Sequence, residues 1–222
     1  MVSGKGALKG RIALVLLLAA GAAVWGAQHF TLSKERRETI RKKYGYFAVQ
    51  RIEAAVRLMN RIVSLDEHGK LVAVNDFVNR VRFVSDREAW GQQDYWARPV
   101  EFLGRDEGDC EDFVITKYFM LRRVGVAEEK LYFTYVKALK YNQAHMVLTY
   151  YETPESVPLV LDNLNFRVLP ATERKDLAYV YSFNAKALYL NRQEGLGEVV
   201  PGGEDRNRKW AGFLKRIEKD LL

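Results

Sequence analysis

The stretch Gly108-Asp109-Cys110-Glu111-Asp112-Phe113 is an acidic turn that runs straight into an apolar helical pattern, and it marks a change in the architecture of the chain. The apolar residues that follow it recur at helical spacing until Gly125, which predicts a helix beginning at Asp109 or Cys110. Beyond that helix the pattern changes to short β-branched and aromatic runs separated by polar turns. These predicted antiparallel strands lie at 131–136, 145–151 and 158–162.

The residues before this stretch are predicted to be helical. Apolar side chains at three- and four-residue steps predict one long amphipathic helix from Lys34 to about Ser64, with an interruption at Gly45. Residues 66–70 have the composition of a turn, after which Asn75 or Asp76 is predicted to cap a second helix. Residues 90–105 are predicted to form a loop with a short helix near 100–103.

The C-terminal third adds two more predicted strands, at 179–183 and 187–190, and a closing helix around Trp210 and Ile217. Helices first and a sheet afterwards predict an α+β fold with N-terminal helices packed on an antiparallel sheet. A chain of 222 residues that is 48% hydrophobic can bury one good-sized core, so residues 28–222 are expected to form a single domain.

The first 27 residues are predicted to direct export. Three basic residues precede an apolar stretch at 12–27 that is rich in small residues at its end. We expect cleavage near Gly26 or Ala27, with retention as an uncleaved N-terminal anchor as the alternative. Either outcome places the rest of the chain outside the cytoplasm, which in a bacterium is the periplasm.

The charge of the chain argues against nucleic-acid binding. The formal net charge is +7, and the segment 1–27 supplies three of the basic residues and no acidic ones. The remainder carries 32 basic and 28 acidic side chains, with no basic cluster interleaved with stacking aromatics.

Cys110 is the only cysteine, so it forms no disulfide within the chain and is packed, reactive or paired with another molecule. Its place in the first turn of a helix favours the thiolate. His145 on one predicted strand can take up the thiol proton, and Asp162 on the next can orient the imidazole. Simpler readings stay open: His145 as a partly buried structural residue, and Asp162 as the end of a strand.

Five acidic residues lie within seven positions, at 106, 107, 109, 111 and 112. Asp109 as a helix cap, with Glu111 and Asp112 complementing the helix dipole, accounts for one or two of them. A hard cation accounts better for the set, because Ca²⁺ takes six to eight oxygen ligands and would neutralise acids beside the nucleophile. Zinc is not expected, since there is one cysteine and no paired histidine spacing.

Several segments together resemble one protein family. They are Trp90, residues 94–97, Pro99, the 108–113 run, and residues 117–119, 145–148 and 159–164. This combination resembles the bacterial transglutaminase-like cysteine proteinases of the LapG type. The resemblance implies a papain-like, transglutaminase-type core with Cys110 as nucleophile, His145 as base and Asp162 as orienting residue. It also implies a calcium site that includes Asp109 and Glu111, with Asp112 as a further ligand.

The resemblance further implies a periplasmic endopeptidase that cleaves the N-terminal region of a large surface adhesin at a di-alanine site. Cleavage would release the adhesin and disperse biofilm, and an inner-membrane receptor for cyclic-di-GMP would hold the enzyme inactive. The acidic pair Asp106-Glu107 departs from the expected pattern and leaves the ligand set open. Two alternatives use the same residues differently: a transglutaminase-type acyl transferase, and a non-catalytic binding domain sequestered by the receptor.

Overall fold

The computed structural model describes residues 29–184, 188–190, 195–200 and 208–217. The predicted export segment at 1–27 lies outside these residues. The helices are α1 (Lys34–Tyr44), α2 (Tyr46–Ile62), α3 (Glu67–Val78), α4 (Asp86–Trp90), α5 (Pro99–Arg105), α6 (Cys110–Arg123) and α7 (Arg208–Ile217). The strands are β1 (Arg82–Phe83), β2 (Glu107–Gly108), β3 (Leu131–Ala138), β4 (Gln143–Tyr150), β5 (Leu159–Leu161), β6 (Leu169–Pro170), β7 (Leu177–Phe183) and β8 (Leu188–Leu190). Short 3₁₀ turns lie at Glu128–Lys130 and Ala171–Glu173.

The predicted α+β architecture is confirmed. Six strands form an antiparallel sheet in the order β6-β5-β4-β3-β7-β8, with α6 packed against β4. The three strands predicted after α6 are β3, β4 and β5, in the predicted antiparallel order. The closing helix is also present, and its Trp210 ring packs 4.4 Å from that of Phe133 in the core.

The predicted break in the first helix is confirmed at Gly45. Its φ of 87° lies in the region that glycine adopts most easily, and it separates α1 from α2. The prediction for residues 66–76 is wrong. Asp66 caps α3 by accepting a hydrogen bond from the N–H of Gly69 at 2.7 Å, so the helix begins at Glu67 rather than near Asn75.

A short parallel pair of strands was not predicted. β1 and β2 pair with Arg82 opposite Glu107 and Phe83 opposite Gly108. Because parallel strands end at the same edge, the chain segments that follow them, beginning at Val84 and Asp109, emerge side by side. Among the described helices, none combines the length and apolar composition needed to cross a membrane.

Candidate active site

Cys110 is the first residue of α6, and Asp109 occupies the N-cap position, as predicted. The thiol is half-buried and donates a hydrogen bond to Glu111 Oε2 at 3.1 Å. The backbone N–H of Met146 in β4 is close enough to lower the pKa of the thiol slightly, against the larger effects described below. This contact places Cys110 beside the strand that carries His145.

His145 and Asp162 form a buried pair. Leu148 pairs with Leu161, so alternation along the two strands puts Asp162 on the same face of the sheet as His145. His145 Nε2 lies 2.7 Å from Asp162 Oδ1, and both side chains are almost fully buried. With Nε2 engaged, Nδ1 is the ring nitrogen left for another group.

Asp162 is held by more than His145. Its Oδ1 accepts a hydrogen bond from the N–H of Leu164 at 3.0 Å, and its Oδ2 accepts one from Arg174 Nη2 at 2.6 Å. Arg174 is itself buried and also binds Asp176. Burial opposes the ionisation of Asp162, but its donors outweigh burial and hold its pKa well below the usual value. Asp162 is therefore an anion wherever the protein is folded near neutral pH.

Lys117 is a second buried cation on α6. Burial lowers its pKa to about 7, and the negative charge of Asp162 partly offsets that effect. Its Nζ has no hydrogen-bond partner among the described residues and lies 5.9 Å from the centre of the Phe113 ring. Burying an amine without a hydrogen-bond partner is unfavourable, so Lys117 lowers the stability of the fold next to the site.

Cys110 and His145 line the same cavity, which has a volume of about 870 Å³. One wall is apolar and comes from β3, β7 and β8. Its side chains are Tyr135, Val180, Tyr181, Phe183, Leu188 and Leu190, with the Tyr135 and Tyr181 rings stacked 5.2 Å apart. Trp96 also lines the cavity, whereas Trp90 donates to Asp112 Oδ2 at 3.4 Å. The cavity is large enough for several residues of an extended peptide.

An acidic cluster lies against the thiol side of this cavity. One carboxylate oxygen from each of Asp86, Asp109 and Asp112 lies within 4.8 Å of the other two, and the same holds for Asp86, Asp94 and Glu111. The β1–β2 pair explains how Asp86 reaches the cluster, since Asp86 follows β1 and Asp109 follows β2.

The loop after α4 is tied to the same acids. Asp86 Oδ2 accepts the N–H of Tyr95, and Asp112 Oδ1 accepts the N–H of Ala97 at 2.7 Å. Gly108 allows the close approach, because a Cβ there would lie 2.5 Å from Asp112 Oδ2. The loop therefore holds Asp94 near the cluster.

Asp106 and Glu107, the acidic pair that differs from the pattern expected for the family, both pair with arginines. Asp106 forms an ion pair with Arg51 at 3.4 Å, and Glu107 forms one with Arg82, so neither belongs to the clusters of possible metal ligands. The ion pairs with arginine therefore account for two of the five acids of the run without a cation. Asp86 and Asp94, from outside the run, belong to these clusters instead.

The donor set fits a hard cation. Asp109 Oδ1 is buried without a hydrogen-bond partner among the described residues. Burial, followed by the charge and hydrogen bond of Glu111, raises the pKa of Asp109 to about 10. Burial likewise raises the pKa of Asp112 to about 8, although the N–H of Ala97 opposes it. Carboxylate oxygens are the ligands that Ca²⁺ prefers, and a bound cation would favour the ionised form of these closely packed acids.

The acids also act on the thiol. Burial raises the pKa of Cys110 well above its usual value, and the charges of Glu111 and Asp109 raise it further. The N–H of Met146 acts in the opposite direction but does not offset them. Without a cation, the thiol therefore stays protonated and donates to Glu111.

Comparison with known proteins places this geometry in a family. A family model described as bacterial transglutaminase-like cysteine proteinase matches residues 49–187, more than half of the chain. The chain belongs to this family. The solved structure of Legionella pneumophila LapG is 38% identical and has a TM-score of 0.69, with 84% of this chain and 98% of that chain covered. No curated protein matches the chain at a significant level.

Two further LapG structures bear on the acidic cluster. The calcium-bound form is 39% identical with a TM-score of 0.67, covering 81% of this chain and 99% of that one. The EGTA-treated form is 38% identical with a TM-score of 0.70, covering 84% and 98%. The transglutaminase-type core inferred from the sequence is thereby confirmed, and a calcium-binding relative of the same fold exists.

The sequence did not single out three residues at this site. Asp86 follows Ser85 at the start of α4, where it has the ordinary signature of a first-turn acid. Asp94 lies in a polar loop, and Arg174 lies in a turn twelve residues beyond Asp162. No local sequence pattern indicated that any of these three residues belongs to the site.

Proposed function

We propose that this protein is a calcium-dependent cysteine endopeptidase in which Cys110 is the nucleophile, His145 the general base and Asp162 the orienting residue. The observation that carries the proposal is one arrangement. Cys110 and His145 share a cavity, and His145 points its Nε2 at a buried Asp162 2.7 Å away. Family membership as a cysteine proteinase supports the same assignment.

The chemistry follows from which atoms are engaged. His145 Nδ1 takes the proton from Cys110 Sγ, and the thiolate attacks the carbonyl carbon of the scissile peptide bond. Backbone N–H groups in the first turn of α6 stabilise the oxyanion. His145 then gives its proton to the leaving amine, and water attacks the resulting thioester to regenerate the thiol. Asp162 and Arg174 keep the imidazole in one tautomer throughout.

Asp109, Glu111 and Asp112, joined by Asp86 and Asp94, would hold the calcium ion. The ion supplies positive charge that offsets the carboxylates beside the thiol. Glu111 connects the thiol to the metal site, because its Oε2 accepts a hydrogen bond from the thiol and Glu111 also belongs to a cluster of possible metal ligands. A Glu111 directed at a cation no longer holds the thiol in its protonated form.

The expected substrate is the N-terminal region of a large surface adhesin, cut at a di-alanine site. Likeness to LapG over 98% of that chain supports this substrate class. Cleavage in the periplasm would release the adhesin and disperse biofilm, and the periplasmic domain of an inner-membrane cyclic-di-GMP receptor would act as inhibitor.

A cleavage assay on a purified adhesin N-terminal fragment tests the proposal. The wild type is expected to give two fragments in calcium and none in EGTA, while Cys110→Ala, His145→Gln and Asp162→Asn each lose activity. Matched controls are His68→Gln and Asp76→Asn, which change exposed residues of the same types and are expected to keep it. Full cleavage by Cys110→Ala, or equal rates with and without chelator, would contradict the proposal. Product masses separate hydrolysis from amide transfer.

A further inference from the structure

An exposed aromatic corner lies where α1 meets α2. Gly45 turns the chain there, and Tyr46 and Phe47 open α2 with 59% and 74% of their surfaces exposed. Phe47 is the most exposed of the large hydrophobic side chains in the described part of the protein. The two rings contact each other edge to face at 5.8 Å rather than packing into the core. Exposing two adjacent aromatic rings to water is unfavourable unless something covers them.

The corner is surrounded by positive charge. Arg41, Lys42 and Lys43 form the last turn of α1, and all three are exposed. Lys43 makes one long contact with Glu101 at 3.9 Å, while Arg41 and Lys42 form no ion pair with any described residue. Arg41, Lys42, Lys43, Tyr46 and Phe47 are called the corner patch below.

The position of the corner patch in the chain points in the same direction. Six residues separate the apolar stretch at 12–27 from Lys34, where α1 begins. Six extended residues span about 20 Å. If the apolar stretch is retained in a membrane, α1 and the corner at its far end are kept beside that membrane. The family model begins at residue 49, so it does not include the corner patch.

We propose that the corner patch binds the surface of an anionic lipid bilayer. Basic residues next to an anionic surface each contribute about 1 kcal/mol of attraction, and aromatic rings insert at the level of the headgroups. The patch supplies three exposed cations and two exposed rings at the junction of two helices. A protein groove would demand a larger contact area than two rings provide. Binding would hold the enzyme at the membrane, independently of its chemistry.

Hydrogen exchange on the full chain bound to vesicles tests the proposal. The first amides of a helix lack intrahelical partners, so those of residues 46–48 exchange quickly unless they are covered. The protein is bound to phosphatidylcholine vesicles with or without 30% phosphatidylglycerol. The apolar stretch can enter either membrane, and exchange at residues 46–48 reports on the patch itself rather than on overall binding. Exchange at 46–48 is expected to slow at least fivefold on the anionic vesicles alone, and the slowing is expected to weaken in 0.5 M salt.

Matched variants separate the patch from general effects. Phe47→Ser and Lys42→Glu are expected to lose the protection, while Phe166→Ser and Lys137→Glu, which change exposed residues elsewhere, keep it. All four are expected to retain cleavage activity, which shows that they fold. Equal exchange on the two kinds of vesicle would overturn the proposal. Protection that appears only on addition of the periplasmic domain of the receptor would also overturn it and would identify a protein partner instead.

Discussion

In the absence of calcium, the acidic cluster is expected to make the stability of the fold fall as pH rises. Asp112 is fully buried, and burial raises its pKa from 3.8 to about 8. The folded chain therefore keeps a proton that the unfolded chain releases above pH 4. A group whose pKa is raised in the fold contributes stability that is complete below its unfolded pKa and is lost as pH rises through the folded pKa.

The magnitude follows from one proton. A single extra proton in the folded state changes the free energy of unfolding by about 1.4 kcal/mol per pH unit, or about 4 kcal/mol between pH 4 and 7. For a chain of this size that corresponds to roughly 8–16 °C in Tm. Asp109, whose pKa is raised to about 10, keeps a second proton over the same pH range and adds to this slope. The lowered pKa of Asp162 matters below pH 4, and that of Lys117 matters above pH 7.

Thermal unfolding followed by circular dichroism measures the effect. In EGTA, Tm is expected to fall from pH 4.5 to 7.5, and Asp112→Asn is expected to reduce that slope by the contribution of one proton. Asp76→Asn, on an exposed part of α3, serves as the control and keeps the slope. Calcium is expected to raise Tm most at the higher pH, because the ligands bind it as carboxylates. A Tm in EGTA that does not depend on pH, or a variant with the wild-type slope, would refute the reasoning.

Three further predictions concern single residues. Arg174→Gln is expected to destabilise the fold by about 3–5 kcal/mol, because it leaves the buried charge of Asp162 without its partner. Because Arg174 also helps to lower the pKa of Asp162, a pH–rate profile is expected to show a larger loss of kcat at pH 5 than at pH 8. Gly108→Ala is expected to lower the free energy of unfolding by about 1–3 kcal/mol in chemical denaturation, because the new Cβ would collide with Asp112. Calorimetry is expected to show weaker calcium binding by this variant. The control is Gly212→Ala, where a Cβ meets nothing within 4 Å and the change is expected to be neutral or stabilising. Lys117→Met is expected to stabilise the protein at pH 7 in urea denaturation, since burying the amine costs about 1.4 kcal/mol per unit of lowered pKa; equal or lower stability would contradict this.

Local patterns predicted the elements that local physics determines. The start of α6 at Cys110 follows from an acidic cap and an apolar helical period, and the break at Gly45 follows from the backbone freedom of glycine. The three strands after α6 were predicted because each is a short apolar run between polar turns. The helix start was wrongly predicted near Asn75 because the composition of residues 66–70 suits both a turn and the beginning of a helix. Asp66 belongs equally well to a turn and to a helix cap, and the cap is what forms.

The rest of the site depends on tertiary structure. Asp86 reaches Asp109 only through a parallel pair of two-residue strands, which is too short to leave a periodic pattern. Arg174 reaches Asp162 because the chain returns along β6 before its 3₁₀ turn. The density of charge suggested Asp106 and Glu107 as ligands, but each pairs with an arginine that lies far away in the chain, 55 residues for Asp106 and 25 for Glu107. Composition shows how many carboxylates are near a thiol, and the fold decides which of them face it.

The most direct test of the central claim is the mass of the enzyme during turnover. The protein is mixed with an adhesin N-terminal fragment, quenched in acid within the first turnover, and digested for mass spectrometry. The account predicts a thioester between the N-terminal cleavage product and Cys110, formed in calcium and absent in EGTA. Cleavage that proceeds with no adduct on Cys110, or an adduct that forms equally well in EGTA, would contradict it.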